Sequence, residues 1–175
     1  MVLEYPIDEK IDDVKGFLLR QGLSHRLLLT LKRNNCIIKK DGKIIIDLNY
    51  EEEADNIATT PMELDIIHED DAILILNKPA GIPVHPSLHY YSTSLSNGVK
   101  NYFNQIGLKK KIRPVNRLDK DTSGLVIFAK NEYVQEELIK QMMNKKFSKE
   151  YIALVEGILD RKKRNYWCSY CKKRK

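Results

Sequence analysis

Apolar positions recur along this chain with two spacings, two residues apart or three and four apart. Residues 1–10 alternate and predict a first strand. Val14, Phe17 and Leu18, with Leu23 beyond them, predict a short helix over Asp12–Gln21. Gly22-Leu23-Ser24 then reads as a helix end followed by an N-cap, with Ser24 accepting from the free N–H groups of a second helix over His25–Asn34. In that helix Leu27, Leu28 and Leu31 fall inward and Arg26, Lys32 and Arg33 outward. Ile37-Ile38 and Lys43–Leu48 flank Lys40-Asp41-Gly42-Lys43 and predict a hairpin with an Asp-Gly turn.

Glu51–Pro61 breaks the pattern: acidic, then small and polar, then a proline, as expected of a linker. Strands are predicted over Leu64–His68 and Ala72–Asn77, separated by the acidic turn Glu69-Asp70-Asp71. The loop after them carries Pro79, Gly81 and Pro83. A helix is predicted over Leu95–Ile106, with Leu95, Val99, Tyr102 and Ile106 on its inner side, ended by Gly107 and three lysines that could also meet phosphates. Leu125–Ala129 predicts a buried strand, and Glu132–Met143 an amphipathic helix through Val134, Leu138 and Met142. Tyr151, Ala153 and Val155 alternate with Ile152 and Leu154, so a last strand, apolar on both faces and central in its sheet, is expected there.

Composition narrows the class. A chain of 175 residues with 42% hydrophobic content is globular and large enough for one domain, or for a small one plus part of a larger one. No apolar run reaches bilayer length, and the N-terminus lacks the plan of a signal peptide, so a cytoplasmic protein is expected. The net charge of +6 suggests nucleic acid, but its distribution weakens that reading. Residues 161–175 hold eight basic side chains and no acid. Without them Lys+Arg falls from 30 to 22 against 24 Asp+Glu, leaving −2 on the first 160 residues. Cys36 sits among apolar neighbours and is expected to pack. Cys168 and Cys171 form at most half a zinc site, so no metal is expected.

The chemistry concentrates in Arg117–Lys130, RLDKDTSGLVIFAK. A charged run enters the turn residues Thr122-Ser123-Gly124, and an apolar strand follows. By itself this is a turn before a core strand, with surface charges around it. The decamer Asn116–Leu125, however, resembles the H-R-L-D-x-x-T-S-G-L signature of RluA-type RNA pseudouridine synthases, with Asn116 in place of the more usual His. Ile67–Pro86 resembles the family's strand and NKPAG…VHP segment, and Lys149–Gly157 resembles its K-x-Y-x-A-x-V-x-G strand. The likeness covers residues 1–160.

The resemblance implies an α+β fold. Residues 1–60 would form an S-four-like RNA-binding module that grips phosphates by charge. Residues 61–160 would form the first part of a mixed, mostly antiparallel catalytic sheet. The implied reaction isomerises uridine to pseudouridine in ribosomal or transfer RNA without cofactor or metal, and a monomer is expected. Asp119 would be the nucleophile or base at the sugar, and Tyr151 would line the uracil pocket and assist proton removal. Arg117 would help take the target nucleotide out of its stack. Apart from the resemblance, Tyr151 reads equally as core and Arg117 as a surface ion pair. His85 would line the site or the substrate loop, and a structural polar contact fits it as well. In the family an arginine of a later G-R-x-H-Q-I-R segment packs against the aspartate, and this chain has no such segment. Back-translated with A/T-rich codons and read one base over, Arg161–Lys175 resembles the family's G-x-I-x-A-P-I-x-R continuation. That stretch is therefore expected to be a basic, out-of-frame tail. The chain would then be a C-terminally truncated synthase, whose own turnover the sequence leaves open. A module that binds RNA without turnover is the other function class the residues allow.

Overall fold

The computed structural model describes residues 1–7, 11–53, 55–154 and 156–157. The expectation for Arg161–Lys175 lies outside them. The described elements are β1 (Val2–Pro6), α1 (Val14–Arg20), α2 (His25–Arg33), β2 (Ile37–Lys40), β3 (Lys43–Asp47), β4 (Ile66–Glu69), β5 (Ile73–Lys78), α3 (Leu95–Gln105), β6 (Arg113–Pro114), β7 (Gly124–Ala129) and α4 (Glu132–Met143). They build two antiparallel sheets, ordered β1-β3-β2 and β4-β5-β7-β6, so the chain is α+β.

The first sheet is closed by local chemistry. Asp41 and Gly42 both hold positive φ (50° and 68°), the requirement of a tight two-residue hairpin turn. Ile44 and Ile46 of β3 are buried against Leu27, Leu28 and Leu31 of α2, and Cys36 packs into the same core. Ser24 caps α2 by accepting from the Leu27 amide at 3.0 Å. In the second sheet Leu74 and Leu76 of β5 face Phe128 and Val126 of β7 in register. That face packs on Leu95, Val99 and Phe103 of α3. Ile75 and Ile127, paired across the other face, are only half-buried, and Leu125 is exposed.

Three expectations change. The inner face of α3 is completed by Phe103, not Ile106, because the helix ends at Gln105 and Gly107, at φ 71°, turns the chain away. Lys110 is not free for phosphates, because it is buried, and the exposed Lys109 pairs with Glu51 at 3.0 Å. Residues 151–154 form no strand, and Tyr151, Ile152 and Leu154 are exposed. A strand needs a partner for its backbone groups, and no described element pairs with this segment. Val155 is outside the described residues.

The stretch between the sheets has no regular element but is not loose. The Glu52 amide donates to Lys109 O at 3.0 Å, and the amides of Lys111 and Ile112 donate to the carboxylates of Glu52 and Asp55, both at 2.8 Å. Among the described residues, no helix is long and apolar enough to cross a membrane.

Candidate active site

The loop from Arg117 to Ser123 hangs from β7 and is fastened at three points. Before it, Asn116 is buried and works as an extra rung of the sheet. Its side-chain amide donates to Leu125 O at 3.0 Å, and its carbonyl accepts from the Ile127 amide at 2.9 Å. After the loop, Gly124 pairs with Lys78 of β5 at φ 125°, a backbone that a side chain would strain. In the middle, Lys120 O accepts two hydrogen bonds at 2.9 Å each, from the Lys78 ammonium and the Gly81 amide.

Lys78 makes the middle fastening unusual, because its side chain is wholly buried. The ammonium also donates to Pro79 O at 2.7 Å and Ile82 O at 2.8 Å, so three carbonyls use its three donors. Burial holds its pKa below the ordinary lysine value, and the Asp121 charge offsets this in part. One lysine thus ties the proline-rich loop after β5 to the loop before β7. Sequence reasoning passed over it. The signal was the alternation itself: Leu74 and Leu76 face the core, and Lys78 is next in period.

Held this way, the loop turns outward. The Thr122 amide donates to Asp119 O at 3.1 Å, closing a turn, and both Arg117 and Asp119 are exposed. Among the described residues neither side chain forms an ion pair or hydrogen bond, so the cation expected beside Asp119 is not supplied by them. Lys120 reaches back to the Tyr90 hydroxyl at 3.2 Å, with its ammonium 5.5 Å from the ring centroid. His85 is exposed.

A cleft of about 740 Å³ opens on the outer face of the second sheet beside this loop. Ile75 and Ile127 form its floor. Asn116, Leu118, Asp121 and Thr122 form one wall, and residues 147–154, including Tyr151, form the other. Its size is that of a small-molecule site, roughly 300–1,000 Å³. Tyr151 and the Asp119 loop therefore share one cleft, although Asp119 and Arg117 themselves do not line it. Among the described residues, no group of three or more His, Cys, Asp or Glu side chains is placed to hold a metal.

The model of the RNA pseudouridylate synthase family matches residues 72–175, the stretch that carries β5, the clamped loop and the cleft. The chain belongs to this family. The uncharacterised RNA pseudouridine synthase YhcT of Bacillus subtilis is 41% identical over 130 residues, covering 74% of this chain and 43% of that protein. Bacillus subtilis YlyB, also an uncharacterised RNA pseudouridine synthase, is 40% identical over 141 residues, 69% of this chain and 46% of its own. The ribosomal large subunit pseudouridine synthase D of Neisseria meningitidis is 34% identical over 161 residues, 86% of this chain and 43% of its own. The chain spans less than half the length of these pseudouridylate synthase relatives.

Proposed function

We propose that this protein is an RNA pseudouridine synthase acting on uridine in structured RNA. The observation that carries this is the Asp119 loop, clamped by Asn116, Lys78 and Gly124 at the mouth of a cleft, inside the stretch matched by the family. The reaction breaks the bond between uracil nitrogen and the ribose anomeric carbon and turns the base. A bond from a ring carbon to the same sugar carbon then forms, that ring carbon gives up its proton, and the freed ring nitrogen takes one up. The product is an isomer, so no atom is gained or lost. Asp119 serves as nucleophile or base at the sugar, since an exposed carboxylate on a fixed loop can approach a substrate without rearrangement. Tyr151, across the cleft, takes part in removing the proton, and Arg117 fills the vacancy left by the extruded nucleotide.

The substrate belongs to ribosomal or transfer RNA. The Neisseria relative, named for the ribosomal large subunit, favours the ribosomal choice. Residues 1–60 are the S-four-like module that grips RNA. The exposed Lys32 and Arg33 of α2, with Lys39 and Lys40 of β2, supply its charge. Residues 61–160 are the catalytic part.

Tritium release from RNA labelled on the uracil ring tests the reading. The protein is expected to release tritium and Asp119→Asn to release none while still binding RNA, because phosphate contacts dominate affinity. An active Asp119→Asn enzyme removes Asp119 from the chemistry. RNA binding by the unmodified protein with no release establishes the other reading, a binder without turnover.

A further inference from the structure

The two sheets are joined by a buried ionic latch. Arg113 of β6 donates to the Glu52 carboxylate at 2.6 and 2.5 Å, one bond from each terminal nitrogen, and the two side chains are 9% and 6% exposed. The same carboxylate accepts from the Lys111 amide. Beside it the buried Lys110 ammonium donates to Leu48 O at 2.7 Å and to Tyr50 O, and lies 4.0 Å from the Tyr50 ring centroid. Leu48 and Tyr50 directly follow β3, so the latch grips the end of the N-terminal sheet and not a slack tether.

A second set of contacts runs from α2 to α4. Ser24, the cap of α2, donates to Glu136 at 2.6 Å, and the Arg26 Nε donates to the nearly buried Glu132 at 2.9 Å. Tyr133 of α4 packs into the core of the first sheet. The helix α4 follows directly on β7, which carries the Asp119 loop at its other end. The basic face of α2 is thus bonded to the same rigid strand and helix that hold the catalytic loop.

We infer that Glu52, Arg113 and Lys110 are positioning residues that fix the basic face of α2 at one distance from the Asp119 loop, so that the target uridine is selected by its reach from the phosphates gripped there. This rests on the functional reading above and adds the way the RNA is measured. A bidentate Arg–carboxylate pair shut away from water sets direction as well as distance, unlike a surface ion pair, which slides and is screened by salt. With two contacts on one RNA, a rigid span makes the second contact intramolecular. A loosened span dilutes it.

Two measurements on the full chain test this, with Glu52→Gln and Lys110→Met as independent ways to open the latch and a melting curve for each to show that it folds. The first is the distance distribution between spin labels on cysteines placed at the exposed Lys39 and Asn104, with Cys36, Cys168 and Cys171 replaced by serine. The unaltered latch is expected to give one narrow distribution and either variant a broad one. A broad distribution with the latch intact overturns the inference. The second compares a long structured RNA with a stem-loop small enough to fill only the Asp119 site. On the long RNA, KM is expected to rise about tenfold in the latch variants, with new uridines modified, because the effective concentration of the second contact falls. On the stem-loop, KM and kcat are expected to stay within about twofold. Equal losses on both RNAs would show that the latch only supports the catalytic fold, and would overturn the positioning role. No pseudouridine from the unaltered protein on either RNA would overturn the functional reading and with it that role. The label distances would still report the latch by itself.

Discussion

Lys78 shows how much one side chain can hold. Its three carbonyl partners belong to Pro79, Ile82 and Lys120, so removing the ammonium takes a donor from each, and Lys120 O keeps the Gly81 amide while Pro79 O and Ile82 O lose the bond described for them. Lys78→Met keeps most of the stem and its packing. It is expected to lower stability by about 2 kcal/mol or more, the range for leaving buried polar groups unpaired. Urea unfolding measures this, and an unchanged midpoint would mean that water replaces the ammonium freely. Arginine is not expected to rescue it, since a planar fork does not match three carbonyls around a point charge. Tyr151 calls for a different test, because it is exposed and its hydroxyl bonds to no described residue. Tyr151→Phe keeps the ring. If the hydroxyl handles a proton, the rate falls by ~10²-fold or more with little change in RNA affinity. An unchanged rate would leave Tyr151 as a wall of the cleft.

The strand β7 and its preceding loop behave as one element, because Asn116 and Gly124 pin both ends of the loop to the sheet. At φ 125° Gly124 sits where a side chain is strained, although a Cβ there would meet nothing nearer than Leu118 Cδ1 at 3.8 Å. The cost of Gly124→Ala is therefore backbone strain and not a clash. It is expected to be about 1–3 kcal/mol, with lost turnover as the loop shifts. Asn116→Ala is expected to destabilise by a similar amount, because the Ile127 amide and Leu125 carbonyl lose their partner. Chemical unfolding of the two variants checks both values. Elements governed by neighbours in sequence were legible without a structure. The Ser24 cap, the Asp41-Gly42 turn and the three leucines of α2 stand where their patterns put them, and β7 forms where its apolar run predicted a strand, although it is buried on one face and not on both. The expected strand at Tyr151–Val155 was not legible in the same way. Alternation states which faces a segment would bury, but a strand exists only beside a partner, and no described element pairs with Tyr151–Leu154.

At the scale of the molecule, the least legible feature is the joint between the sheets. Glu51, Glu52 and Asp55 read as the acidic start of a linker, and Lys109 and Lys110 as the basic end of a helix, while Arg113 carried no reading of its own. Yet Glu51 pairs with Lys109, Glu52 with Arg113, and the Asp55 carboxylate accepts from the Ile112 amide, with the Lys100 ammonium 3.1 Å away. The two segments lie far apart in sequence, so only the folded chain reveals that their charges are complementary. This joint should carry a pH signature. Burial pushes the Glu52 carboxyl up, but the Arg113 hydrogen bonds, the Lys111 amide and the charges of Arg113 and Lys110 outweigh it, so its pKa lies below the ordinary 4.5. Glu69, held by Lys130 and Tyr102, is lowered against burial in the same way. A carboxyl with a depressed folded pKa binds its proton more readily in the unfolded chain. Its contribution is therefore complete above the ordinary carboxyl value and disappears as pH falls through the folded one. The protein is expected to lose stability on acidification below about pH 4.5, and Glu52→Gln, less stable at neutral pH, to lose less over the same interval. Urea midpoints for both proteins across that range decide it. Parallel curves would mean that Glu52 titrates alike in the folded and unfolded chain. Converging curves would mean that the joint holds the Glu52 carboxyl below its unfolded value, and label distances that broaden over the same pH interval would show that protonating this one carboxylate opens the joint.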